Sequence, residues 1–232
     1  MNRENAQLIL PVRLRDDETF ESFHVGENAE VVDRLEQLAT GGAAGCVWLW
    51  GAQACGKSHL LQACCHRAHL AKRRVIYLPL ADVALSPDAL EGLMEHELVC
   101  IDDAHRLPES PALERAFVPL FNELSSHGHA LVMAAPMAPR EVSFGLADVR
   151  SRAASATVYR LPALDDAARV EVLRRRAALR GLTLPDEVAD FVLARASRDM
   201  RSLMSTLETL DLAALHQKRR LTVPFVKQVL GL

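Results

Sequence analysis

The fold is decided by the stretch Cys46-Val-Trp-Leu-Trp50 and the loop that follows it, Gly51-Ala-Gln-Ala-Cys-Gly-Lys-Ser58. The first part is a short apolar run typical of a buried strand, and the residues after the loop have a helical pattern. Glycines at both ends of the loop let backbone N–H groups converge on an anion at the positive end of the helix dipole. Lys57 adds a mobile cation and Ser58 a hydroxyl that can ligate Mg²⁺. The stretch therefore predicts a strand, a phosphate-binding loop and a helix.

A second motif is the apolar run Leu98-Val-Cys-Ile101, which ends in Asp102 and Asp103. A carboxylate at the carboxyl end of a parallel strand reaches the crevice where ligands of such sheets bind. We expect Asp102 to hold the water shell of Mg²⁺ and Asp103 to polarise an attacking water. The next apolar run ends in Ala134-Ala135-Pro136, whose side chains offer no donor or acceptor. This ending predicts a protein with weak or no ATPase activity of its own.

Short apolar runs alternate with longer helical patterns along the first two thirds of the chain. The predicted strands are 46–50, 75–80, 98–101, 130–134 and 157–161, with helices that include 28–38, capped by Asn28, 57–70 and 112–125. This alternation predicts an α/β fold with a parallel sheet covered by helices on both faces. After Pro162 only helical patterns follow, opening at Asp165 or Asp166, at Pro185, at Met200 and at Thr222. We therefore expect an N-terminal segment (1–20), an α/β nucleotide-binding domain (21–161) and a small all-α domain (162–232).

Composition excludes several classes of protein. Half of the 232 residues are hydrophobic and the net charge is −3, which argues against a disordered chain and against a generic binder of phosphate backbones. The five cysteines are an odd number without a Cys-x-x-Cys spacing, which argues against a disulfide framework and a zinc site. No apolar run is long enough to span a membrane and no secretory signal opens the chain. We expect a cytoplasmic protein without membrane partners.

These motifs, in this order and with a helical second domain, resemble the AAA+ family and, within it, the DnaA clade. Thr19-Phe-Glu-Ser-Phe-His-Val-Gly26 resembles the start of that clade's ATPase domain. Leu182-Thr-Leu-Pro185 and Asp199-Met-Arg-Ser-Leu203 resemble its lid domain. The end, Arg220-Leu-Thr-Val-Pro-Phe-Val-Lys227, resembles that of the Hda branch, the regulatory inactivators of DnaA. We expect no helix-turn-helix domain, since the chain stops there.

The resemblance implies roles for individual residues. ADP or ATP with Mg²⁺ would be held between loop and lid. The implied nucleotide-binding residues are Val25, Gly26, Gly51, Gln53, Ala54, Cys55, Gly56, Lys57, Ser58, His59 and Arg201, with Ser58 and Asp102 on the metal. Arg152, expected on the loop that enters the last strand, matches the arginine finger that acts in trans, and Arg201 matches the second sensor. Pro136 stands where the initiators have an acidic first sensor, which departs from their pattern.

Gln7-Leu-Ile-Leu-Pro11 resembles the peptide by which Hda-type proteins dock on the DNA polymerase III β sliding clamp, so Gln7, Leu8, Leu10 and Pro11 are the expected contacts. The implied function is an adaptor that meets DNA mainly through the clamp, stimulates ATP hydrolysis by DnaA and negatively regulates replication initiation. Self-association is left open.

Alternatives stay open at this point. Without the family, residues 7–11 could form an edge strand or a tail, Arg152 could be a solvated loop residue, and Arg201 could lie on a helix surface. The whole chain could also be a self-contained AAA+ ATPase such as a helicase loader, or a DnaA-like DNA-binding factor. Turnover by the purified protein alone would favour the first alternative, and salt-dependent binding to duplex DNA the second.

Overall fold

The computed structural model describes residues 18–81, 90, 92–195 and 200–232, the side chain of Arg201 excepted. The described residues form two compact units: the first holds 18–20 and 28–161, and the second holds Glu21–Glu27 together with Pro162–Leu232. The boundaries predicted from the sequence, at 20 and 161, assign Glu21–Glu27 to the α/β domain. The functional boundaries between the domains stay predictions.

The first unit contains a five-stranded parallel sheet in the order β2-β3-β4-β1-β5. Its strands are β1 (Gly45–Trp50), β2 (Val75–Pro79), β3 (Leu98–Asp102), β4 (Ala130–Ala135) and β5 (Thr157–Arg160). All five strands predicted from apolar runs are confirmed. The sequences of β3 and β4 lack hydrophobic alternation because strands inside a parallel sheet are buried on both faces, and both of these strands are buried throughout.

Helices cover both faces of this sheet. They are α1 (Ala29–Thr40), α2 (Lys57–Leu70), α3 (Pro111–Ser126) and α4 (Ala147–Ala154), and two 3₁₀ turns span Ala104–Glu109 and Pro139–Glu141. Val99 and Ile101 of β3 pack in one apolar core with Phe117 of α3. The alternate residue Cys100 points the other way, where it contacts Cys65 of α2. The predicted α/β architecture is therefore confirmed, while the short helix α4 was not predicted.

The predicted cap of the first helix is wrong in detail. Asn28 occupies the N-cap position of α1, but its side chain makes no capping hydrogen bond. Its backbone (φ −95°, ψ 20°) is not in the extended region from which a cap side chain reaches back to the helix. Ser110, with an extended backbone, does cap α3 by accepting from Leu113 N at 3.4 Å.

The second unit is all helical over its described residues beyond Pro162. Its helices are α5 (Asp166–Leu179), α6 (Asp186–Arg195), α7 (Met200–Gln217) and α8 (Val223–Leu230). Asp165 caps α5 by accepting from Ala168 N at 2.7 Å, and Thr222 caps α8 by accepting from Phe225 N at 3.4 Å. In the described part of the chain, no helix combines the length and apolar character that crossing a membrane requires.

Candidate functional site

The loop between β1 and α2 has a backbone that few sequences can adopt. Ala54 and Gly56 have left-handed φ values of 60° and 97°. A Cβ at Gly51 would collide with the carbonyl oxygen of Leu161 and lie 2.9 Å from Cys55 Sγ. Glycine is therefore required at position 51 by close packing against the chain that leaves β5. The left-handed turn at Gly56 lets α2 begin at Lys57, so the N–H groups of its first turn face the loop.

Lys57 lies across the mouth of this loop. Its Nζ donates to the carbonyl oxygens of Gly51 at 2.8 Å and Ala52 at 2.7 Å, and lies 3.6 Å from Cys55 Sγ. These acceptors are neutral or weak, so the negatively charged oxygens of a phosphate are better partners for the ammonium group. The structure thus places a cation, a helix N-terminus and a wrapped backbone together, as the motif predicts.

The remaining residues of the loop differ in accessibility. Gln53 and Ser58 are exposed, whereas Cys55 is buried. His59 forms a hydrogen bond between its Nε2 and the carbonyl oxygen of Thr19, 2.8 Å away. That contact joins α2 to the chain before the sheet, and a role of His59 in nucleotide binding stays a prediction.

The acidic residues lie at the end of β3. Asp102 is only 5% exposed, and its carboxylate accepts from the hydroxyl of Tyr77 at 2.7 Å and from Asp103 N at 3.0 Å. Asp103 has a left-handed φ of 55° where the chain turns into the 3₁₀ segment. Burial and the negative charge of Asp102 raise the pKa of Tyr77, so its hydroxyl keeps its proton. Because β4 lies between β1 and β3, the loop and the acids share the carboxyl edge of the sheet.

The donor atoms at this edge suit a hard cation. The Ser58 hydroxyl and the Asp102 carboxylate supply oxygens, the ligands that Mg²⁺ prefers, usually with retained waters. Among the described residues, no group of three or more His, Cys, Asp or Glu side chains could hold a metal ion by itself. This donor set fits an ion shared with a phosphate ligand better than an all-protein metal site.

The cysteines next to this edge are buried. Cys64, Cys65 and Cys100 are at most 1% exposed. A hydrogen bond to Cys100 and burial raise the pKa of Cys65, and burial raises that of Cys100. Cys65 and Cys100 are therefore protonated thiols, and their contact packs α2 on β3.

The expected position of Arg152 on a loop is wrong, because it lies in α4. Its Nε and Nη2 donate to Asn122 Oδ1 at 3.1 and 3.0 Å, and its Nη1 donates to Asp148 O at 3.1 Å. The guanidinium also lies 5.9 Å from the ring centre of Phe121. The side chain is 22% exposed. A guanidinium with neutral acceptors and one exposed carboxylate, Asp148 Oδ1 at 3.6 Å, can exchange them for stronger anionic ones.

A buried carboxylate accepts hydrogen bonds from the two residues that precede helix α4. Glu114 of α3 is 2% exposed, and its two oxygens accept from Gly145 N at 2.9 Å and Leu146 N at 3.1 Å. A negative charge at a helix N-terminus is favourable. A Cβ at Gly145 would lie 2.9 Å from Glu114 Oε2, so the glycine permits this approach. This contact was not predicted from the sequence, because it joins residues 31 positions apart.

The remaining predicted site residues belong to the second unit or lie outside the described residues. Val25, half-buried, and Gly26, with φ of 48°, belong to the second unit. Arg201 lies in the first turn of α7, and its side chain is outside the described part. Gln7, Leu8, Leu10 and Pro11 also lie outside the described residues.

Comparisons with known proteins place the chain in a family. The family model for the bacterial DnaA ATPase domain matches residues 14–158, and the model for the Hda lid domain matches residues 166–230. Domain III of the Thermotoga maritima replication initiation protein DnaA is similar in fold, with a TM-score of 0.78 and 21% identity over 95% of this chain and 98% of that one.

Two further structures share the fold. AMPPCP-bound DnaA from Aquifex aeolicus has a TM-score of 0.72 and 21% identity over 88% of this chain and 68% of that one. A RuvB mutant from Thermotoga maritima has a TM-score of 0.69 and 17% identity over 92% and 71%. At such identities the likeness shows the fold alone. Since the DnaA ATPase-domain model matches more than half of the chain and an Hda-type lid follows it, the chain belongs to the DnaA clade of AAA+ proteins and is Hda-like.

Proposed function

We propose that this protein is a nucleotide-bound adaptor that docks on the DNA-loaded sliding clamp and stimulates ATP hydrolysis by DnaA, so that it negatively regulates replication initiation. The observation that carries the proposal is the succession of a DnaA-type ATPase domain and an Hda-type lid in one chain. A domain of the initiator's own fold suits a protein that stacks against DnaA as AAA+ subunits stack against one another.

The nucleotide is ADP or ATP. The DnaA from Aquifex aeolicus was solved with AMPPCP, an adenine nucleotide analogue, and the loop described above offers the backbone and the cation that such a ligand needs. Ser58 would hold Mg²⁺ directly and Asp102 through its water shell, and the ion would neutralise phosphate charge. Val25, Gly26 and Arg201 stay predicted nucleotide contacts, implied by the resemblance to the DnaA clade.

Arg152 is the residue proposed to act on DnaA. An arginine finger stabilises the charge that develops on the transferred phosphoryl group, which is worth about 10³ to 10⁵ in rate. To act, Arg152 must leave Asn122 and Asp148, and its partial exposure supports that exchange. A lysine would match the spread charge poorly because it lacks the planar set of donors.

The protein's own turnover is proposed to be weak. Strand β4 ends at Ala135, next to Pro136, and neither side chain can position a water. Asp103 could still polarise a water, so residual hydrolysis at its own site is compatible with the proposal. The catalytic consequence would come instead from Arg152 at the neighbouring subunit's nucleotide.

Docking is proposed to use residues 7–11. The Gln7 amide can both donate and accept in a polar pocket, while Leu8, Leu10 and Pro11 fill an apolar groove. Replacing Gln7 and Leu10 by Ala should remove clamp binding and leave nucleotide binding unchanged. Co-elution of the double variant with the clamp at the strength of the original protein would place the docking site elsewhere.

The test is ATP hydrolysis by DnaA, measured with and without this protein, the clamp and DNA. Stimulation should require all three, should be lost in Arg152→Ala and should be partly restored in Arg152→Lys. Arg150→Ala is the matched control, since Arg150 is an exposed arginine on the same helix. Stimulation by Arg152→Ala at the original rate would show that the finger is misassigned, and no stimulation under any condition would refute the adaptor function.

A further inference from the structure

We propose that Tyr77 is a positioning residue of the magnesium–nucleotide site, which fixes Asp102 in the orientation that receives the water shell of Mg²⁺. The inference rests on the magnesium and nucleotide part of the proposed function, and it is independent of the proposed action on DnaA and of clamp docking. Tyr77 lies outside every motif quoted from the sequence.

The register of the sheet brings the two side chains together. Tyr77 of β2 is level with Cys100 of β3, and Pro79 is level with Asp102. Partners in register point to the same face of the sheet, so Tyr77 and Asp102 share the face that α2 covers. A tyrosine is long enough to reach forward by two residues, and its hydroxyl lies 2.7 Å from Asp102 Oδ2.

The contact matters because Asp102 is then held at both oxygens. Oδ2 accepts from the Tyr77 hydroxyl, and Oδ1 accepts from Asp103 N at 3.0 Å. Each carboxylate oxygen has a second lone pair, so one site on each remains for water. A buried carboxylate with two fixed donors has one orientation, which is the condition for presenting its remaining lone pairs to a metal-bound water.

Tyr77 also links Asp102 to the helix of the phosphate loop. Gln62 of α2, 9% exposed, hydrogen-bonds to the Tyr77 side chain. Lys57 begins the same helix. The chain of contacts therefore runs from the helix that would bind phosphate, through Tyr77, to the acid that would bind the metal's water. Tyr77 therefore fixes the orientation of Asp102 relative to the helix that follows the phosphate-binding loop.

The first experiment measures the affinity for ADP in Mg²⁺ and in EDTA, for the original protein and for Tyr77→Phe. The variant should reduce the gain in affinity that Mg²⁺ provides by about tenfold, the scale of outer-shell contacts at metal sites, with affinity in EDTA unchanged. Tyr159→Phe is the matched control, since Tyr159 is the chain's other tyrosine and hydrogen-bonds to a different carboxylate, Glu30.

Each outcome of these affinity measurements either supports or overturns the role of Tyr77. An unchanged magnesium gain in Tyr77→Phe overturns the inference, as does an equal loss in Tyr159→Phe. If Mg²⁺ does not raise the affinity of the original protein for ADP, both the magnesium site and the inference are overturned. The adaptor function is then still decided by the DnaA hydrolysis assay. A further loss from Tyr77→Phe in an Asp102→Ala background would show that Tyr77 does not act through Asp102.

A second measurement needs no loss of the hydroxyl, and so covers the case in which Tyr77→Phe fails to fold. The two tyrosines are labelled with 3-fluorotyrosine, and their ¹⁹F resonances are assigned with Tyr159→Phe. The Tyr77 resonance should shift when Mg²⁺ is added to the ADP complex in place of EDTA, whereas that of Tyr159 should not. The inference is overturned if Mg²⁺ raises the affinity for ADP but leaves the chemical shift of the Tyr77 resonance unchanged.

Discussion

Replacing Glu114 should loosen the start of the helix that carries Arg152. In Glu114→Gln the side chain keeps its size, but one carboxylate oxygen becomes an amide N–H₂ group. One of the two backbone N–H groups, of Gly145 or Leu146, then faces a donor instead of an acceptor. The variant therefore isolates the hydrogen bonds and the charge from the packing of the side chain.

The magnitude follows from the burial of the contact. A buried donor left without an acceptor costs about 1 to 3 kcal/mol, and hydrogen bonds to a charged group are at the upper end. Removing a buried charge returns part of the cost of its desolvation. We expect Glu114→Gln to lower the free energy of unfolding of the first unit by about 2 kcal/mol. In a domain of this size that corresponds to a fall in Tm of about 4 to 8 °C.

Tryptophan fluorescence is the assay. Both tryptophans of the chain, Trp48 and Trp50, lie in β1 of the first unit. Trp48 packs edge-on against Phe144, with ring centres 6.4 Å apart, and Phe144 directly precedes Gly145. Thermal and urea unfolding followed at this signal therefore report on the unit and on the segment that Glu114 holds.

Glu123→Gln is the matched control for this change. Glu123 lies on the same helix, but its side chain is 45% exposed and pairs with His127 at the surface, so its loss should change stability by less than about 0.5 kcal/mol. Equal stability of Glu114→Gln and the original protein would refute the argument that the carboxylate holds the start of α4. So would equal losses in the two variants.

Three further predictions concern the loop and the dependence on pH. Gly51→Ala should abolish nucleotide binding and lower Tm, because its Cβ would collide with Leu161 O. Gly128→Ala is the control: Gly128 is also left-handed but has open space around it, so the change should lower the free energy of unfolding by only about 1 kcal/mol and leave nucleotide binding intact. Lys57→Ala should reduce ADP affinity measured by calorimetry at least tenfold, because it removes the cation at the loop. Burial lowers the pKa of His96 from its usual 6.5, so the unfolded chain binds the proton first as pH falls, and the free energy of unfolding should decrease below that pH. His96→Gln should make the urea midpoint less dependent on pH between pH 5 and about 7.

The sequence predicted all five strands and the helices whose apolar residues recur at helical spacing, because both signals are local. Features of the structure that depend on a contact between residues distant in the chain were not predicted from the sequence. Helix α4 has Val149 as its one large apolar residue, and the chain at its start is hydrogen-bonded to Glu114, 31 positions away. Arg152 was therefore expected on a loop. The cap at Asn28 failed for the opposite reason: the residue type was right, but its backbone does not bring the side chain to the helix.

The candidate site divides in the same way. Lys57 and Ser58 were predicted because they end the glycine loop that follows β1, and Asp102 because it ends the apolar run of β3. Tyr77 could not be found, since its approach to Asp102 depends on the register between β2 and β3, which the sequence does not specify. A polar residue inside an otherwise apolar strand is the signal that was available, and it would have pointed to Tyr77 without naming its partner.

Helix α3 emerges as the element that sets the geometry of Arg152. Glu114 in its first turn holds the start of α4, and Asn122, two turns later, accepts from the guanidinium. Phe121 beside it supplies the ring on which the guanidinium lies. Both ends of the short helix α4 are thus tied to one longer helix, which is anchored in the core by Phe117. The packing of α3 on the sheet therefore sets the direction of the Arg152 side chain, so a change in α3 should alter the proposed finger without changing the nucleotide loop.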